Sequence, residues 1–99
     1  MRVVRIRAQA RDEIEEAFDW YRERSLTAAS ELLHELDVAM QRIAEAPEQF
    51  PVVRGRLRRV LLHRFPYAVY NKVYPTTISV VGVIHGRRHP STWQRRAGP

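Results

Sequence analysis

Cysteine is absent from these 99 residues, which removes disulfides, thiol chemistry and cysteine-based metal sites. The absence fits a reducing compartment, so a cytoplasmic location is expected. No apolar stretch approaches the ~20 residues of a membrane-spanning helix. Residues 1–7 alternate Arg with Val and Ile and lack the apolar run of ~7–15 residues that a secretory signal needs. No membrane association, no metal and no small-molecule cofactor are expected. The most informative shortage is of carboxylates. All eleven acidic residues lie between Asp12 and Glu48. Residues 1–48 hold seven Lys and Arg against those eleven, a net of −4, whereas residues 49–99 hold ten and no acid, a net of +10. A one-signed field of this kind attracts nucleic acid, an acidic protein or an anionic membrane. The alternative is a merely soluble basic surface. The length fits one small domain, residues 1–99, of moderate stability.

What is present has clear periodicity. Residues 2–7 alternate, with Val4 and Ile6 on one side and Arg5 and Arg7 on the other, which predicts a half-buried strand. Over residues 9–24, Ile14, Ala17, Phe18 and Tyr21 fall on one helical face. Asp12, Glu13, Glu15 and Glu16 crowd the first half of that helix, where they favour the positive end of its dipole. A second helix is expected from Ser25 or Leu26 to Ala46, capped by Ser25 and ended by Pro47. Its apolar stripe is Leu32, Leu36, Ala39, Met40 and Ile43. The short connection predicts an antiparallel helical hairpin. Residues 47–56, with Pro47, Pro51 and Gly55, read as a loop. Strands follow at 57–63, 67–73 and 77–85. The last is apolar on both sides and so is expected to be covered on both faces. Pro90 can open one helical turn.

The fold class is therefore α+β in two layers: an N-terminal strand, a helical hairpin and a three-stranded antiparallel meander (β-α-α-β-β-β), with the hairpin packed on one sheet face. The opposite face is expected to stay partly open and to carry the arginines.

Four segments carry a resemblance: DEIEEAFDWY, LHELDVAMQRIAEAPEQFP, RFPYAVYNKV and VVGVIHGRRHPSTWQRR. Together they resemble the RelE/ParE superfamily of toxins from bacterial type II toxin–antitoxin pairs, over nearly the whole chain. Phe65 to Tyr70 with His85 to Pro90 is the most specific combination. The tail resembles the ParE-like, plasmid-stabilisation branch. The resemblance implies growth arrest and neutralisation by a cognate antitoxin. For ParE-like members it implies DNA gyrase as the target, and for RelE-like members cleavage of messenger RNA on the ribosome.

Metal-free RNA cleavage needs a base, an acid and cations that stabilise phosphate charge. Arginine does the third task and not the first two, since it keeps its proton near neutral pH. The candidate catalytic set for a nuclease is Arg59, Arg64, Arg88 and His89. Trp93 stands where the resemblance suggests a tyrosine, and Ala68 stands where an arginine is common. A protein that binds its target without cutting it is therefore preferred to an enzyme. The candidate target- or nucleic-acid-binding residues are Arg54, Arg56, Arg58, Arg59, Arg64, Arg87, Arg88 and Trp93. Trp93 also reads as packing the tail onto the sheet, and His85 and His63 as structural. Glu16, Asp19, Glu23, Glu31 and Glu35 are the candidate antitoxin-binding residues, or simply a solvated helix face. The functional readings are a gyrase inhibitor, a ribosome-dependent endoribonuclease, and a non-toxic binding module that keeps the fold.

Overall fold

The computed structural model describes residues 2–98. The elements are β1 (Val3–Ile6), α1 (Ala8–Arg22), α2 (Leu26–Glu45), a 3-10 turn (Pro47–Gln49), β2 (Val52–Arg54), β3 (Leu57–Leu61), β4 (Tyr67–Val73), β5 (Thr77–His85), a short helix α3 (Ser91–Gln94) and a closing 3-10 turn (Arg95–Ala97). One mixed sheet has the order β1-β5-β4-β3-β2, with β1 parallel to β5 and the other pairs antiparallel.

The helices form for the expected reasons, with one correction. The Ser25 hydroxyl accepts the Ala28 N–H at 3.1 Å and caps α2. Leu32, Leu36, Ala39 and Ile43 are buried, and Met40 is half-buried beside them. The acids of α1 do not sit in its first turn, so the dipole argument has little force, because that effect decays within one turn. Glu13 has another task, described below.

Residues 52–54 add a short strand where a loop was expected. The two-residue turn Gly55-Arg56 makes it possible. Gly55 has φ +54°, and among the described residues only glycines have positive φ, the pattern of a turn with glycine first that matches strand twist.

The sheet has two apolar faces. Val60, Val69, Ile78, Val80 and Val83 face the helical hairpin. Leu57, Ala68, Tyr70 and Ile84 face the other way. Tyr70 pairs with Gly82 but Asn71 with Val80, which leaves Val81 as an extra residue on β5. The bulge shifts the side-chain phase from Ile78 and Val80 to Val83. This is why the last strand reads as apolar on both sides.

The second face is not left open. Trp93 stacks on Tyr70 with ring centroids 5.6 Å apart and an interplanar angle of 13°, and Ala97 packs beside it. The tail therefore closes the centre of the face that was expected to display arginines. The apolar side chains of β3, β4 and β5 there need a cover, and the tail supplies it.

Asn71 is wholly buried, and neither its amide nitrogen nor its carbonyl oxygen has a partner among the described residues. An unsatisfied buried amide costs about 1–3 kcal/mol. Asn71→Val is expected to stabilise the protein by roughly 1 kcal/mol in urea unfolding. A loss of stability instead would reveal a hidden partner such as a buried water.

Candidate functional site

The site begins where β1 ends. β1 pairs with β5 only as far as Ile6 opposite Val80. Arg7 N–H then reaches the Val80 carbonyl at 2.9 Å, and the chain turns into α1 at Ala8. Residues 81–85 of β5 are thus left without a strand neighbour on that side. Side chains replace part of the missing strand. The Glu13 carboxylate accepts the Val83 N–H at 3.0 Å and two bonds from the Arg96 guanidinium, at 3.0 and 2.8 Å. Arg96 also donates to the Val81 carbonyl at 2.9 Å.

Beyond this clamp lies a groove of about 370 Å³ between α1 and the free edge of β5. Trp20, Tyr21 and Tyr67 make its aromatic wall, with Glu13 and Glu16 on the helix side, Val83 to His85 along the strand and Arg88 at the rim. Trp20 is half exposed. The Arg24 guanidinium lies 3.7 Å from its ring centroid and is held there by a 2.6 Å bond to the Trp20 carbonyl. Tyr67 meets His85 edge-on at 5.1 Å. Burial pushes the Tyr67 phenol above its ordinary value of 10, and Tyr21 and Glu16 push the same way. It therefore stays a neutral hydrogen-bond donor at physiological pH. The groove thus joins a strand edge without a neighbouring strand, an aromatic wall and the carboxylate of Glu16.

The sequence candidates for catalysis are not brought together. Arg59 lies under the tail, 5.8 Å from the Trp93 ring, with its Nε buried and unpartnered. Arg64 is on the helix side, paired with Glu31 at 3.4 Å and Glu35 at 3.7 Å. His89 accepts the Ser91 N–H at 3.1 Å, so it caps the tail helix. Arg88 is exposed at the groove rim. His85 accepts the Arg87 N–H at 2.9 Å. Of the four catalytic candidates, Arg88 alone lines the groove.

The remaining basic candidates also divide. Arg58 turns to the helix side and donates to the Phe50 carbonyl at 2.6 Å. Arg54 and Arg56 stand exposed at the β2–β3 turn, and Arg87 is exposed at the tail. Trp93 is engaged with Tyr70. Among the described residues, no cluster of three His, Asp or Glu side chains could hold a metal.

The acidic candidates are mostly occupied internally. Asp19 pairs with Arg22 at 3.3 Å, and Glu23 lies 3.9 Å from Arg24. Glu35 accepts the backbone N–H groups of His63 and Arg64, which fixes the β3–β4 loop to α2. Of the five, Glu16 alone lines the groove. Glu13, Trp20 and Arg96 were missed in the sequence. The available signal was Trp20, a large aromatic lying off the apolar stripe of its helix.

Comparison with known proteins places this geometry. Residues 4–90 match the family model described as ParE toxin of type II toxin-antitoxin system, parDE. The chain belongs to the ParE toxin family. A solved chain titled as the chromosomal ParDE TA system from P. aeruginosa is similar in fold, with a TM-score of 0.70, 15% sequence identity, and coverage of 86% of this chain and 96% of that one. No curated protein matches by sequence. The ParE match starts in β1 and ends at Pro90, so it includes the groove and stops before most of the tail that closes the far face.

Proposed function

We propose that this ParE-family toxin arrests growth by inhibiting DNA gyrase, and that a cognate antitoxin silences it by lying in the groove between α1 and β5. One observation carries the choice of target. Arg59 lies beneath a stacked tryptophan, Arg64 is paired with Glu31, the His89 ring is engaged by Ser91, and Arg88 alone of the four lines the groove. RNA cleavage requires those functions within hydrogen-bond reach of one phosphate. Inhibition by binding requires only an exposed surface. The antitoxin half of the reading rests on the free edge of β5 beside the exposed Trp20.

Purified protein is expected to block gyrase supercoiling of relaxed plasmid, and addition of the antitoxin is expected to restore it. Transcripts in induced cells should stay intact. Rapid ribosome-dependent cuts in messenger RNA, with supercoiling untouched, would overturn the target in favour of the endoribonuclease. Normal growth under strong expression would favour a non-toxic binding module.

A further inference from the structure

A second concentration of charge lies at the far end of β4, roughly 20 Å along the strand from Tyr67. There a cleft of about 460 Å³ is lined by Arg54, Arg56, Lys72 and Tyr74, together with Ala97 and Gly98. The strand register builds it. Arg54 pairs with Leu57 and Leu57 with Lys72, so the three residues lie side by side across β2, β3 and β4. Paired residues share a face, which puts the Arg54 and Lys72 cations over buried Leu57 on strands about 10 Å apart.

The third cation is held rather than free to wander. Arg56 donates to the Val73 carbonyl at 3.3 Å, and its guanidinium lies 5.0 Å from the Tyr74 ring centroid. Tyr74 itself is 38% exposed. Gly55 leaves the turn unobstructed, since a Cβ there would meet nothing within 4 Å. Among the described residues, Arg54, Arg56 and Lys72 make no ion pair. Glu48 is taken by Arg2 at 3.3 Å.

We infer that this cleft binds the sugar–phosphate backbone of nucleic acid, independently of the groove and of the antitoxin. Unpaired cations beside a half-exposed aromatic ring match what a polynucleotide offers: phosphates for the three cations and a base for the ring. An acidic peptide would use the cations and leave the ring idle. Stacking needs an unpaired base, so single strands are the preferred form.

The test is fluorescence anisotropy of a labelled 12-nucleotide single strand with the full chain, over a range of salt. Binding should weaken as salt rises. Arg54→Gln/Lys72→Gln should weaken it about tenfold and flatten the log–log salt slope by about 1.4, the value for two lost contacts to a single strand. Tyr74→Ala should weaken the single strand more than a duplex of the same sequence. Arg88→Gln, at the groove rim, should leave both unchanged. Unchanged affinity and slope in the double variant, with circular dichroism confirming its fold, would overturn the inference. So would equal competition by a polyglutamate peptide, which would point to an acidic protein partner. The gyrase reading can fail while this result stands, because no topoisomerase is present in the assay.

Discussion

Glu13→Ala is expected to lower the unfolding free energy by about 3 kcal/mol, the range for breaking a buried ion pair from one side. Both side chains are mostly buried, with 15% of Glu13 and 13% of Arg96 exposed. The substitution removes both carboxylate bonds to Arg96 and orphans the Val83 N–H. It leaves a guanidinium against the sheet edge with one partner, the Val81 carbonyl. Gly82 lies under that guanidinium, and a Cβ there would come within 2.7 Å of Arg96 Nη1. Arg96→Met removes the other charge and should also destabilise. The double variant should cost clearly less than the two single costs added, by at least ~1 kcal/mol, because neither charge is then left alone. Urea unfolding of the four proteins measures this directly. A Glu13→Ala protein within 0.5 kcal/mol of its parent, on the same slope against urea, would mean that water already serves both groups.

This clamp also shows where sequence reading stops. Periodicity assigns a face to a residue and says nothing of its distant partner. The α2 stripe, the Ser25 cap and the meander strands were legible because each is set by spacing within a few residues. Glu13 and Arg96 are 83 positions apart, and neither breaks a local pattern. The tail was half legible: Trp93 read as packing, but not that Tyr70 would receive it and close the face. β2 was missed because three residues carry too little alternation to be seen without their partner strand. For the site, the charge asymmetry was legible in bulk. Its distribution was not, since Glu31 and Glu35 turn back onto Arg64 and Arg58 turns under the loop at Phe50.

The same asymmetry between local pattern and distant contact makes Trp20 the sharpest probe of the groove. Trp20→Ala is expected to weaken antitoxin binding at least 30-fold, about 2 kcal/mol, the threshold for a central interface anchor. The fold should lose little, because the ring is half exposed and its covering partner is the exposed Arg24. The loss should appear mainly as faster dissociation, since the groove's charge and the encounter rate are unchanged. Glu16→Gln should do the reverse, slowing association in a salt-dependent way if a basic antitoxin residue is steered to it. In cells, the Trp20→Ala toxin should stay active against growth yet escape rescue by its antitoxin. Arg54→Gln/Lys72→Gln, at the other end of β4, should be rescued as well as the parent. A Trp20→Ala toxin that its antitoxin binds with undiminished affinity would place the antitoxin elsewhere. The free edge of β5 would then be an exposed strand protected only by the Glu13–Arg96 clamp.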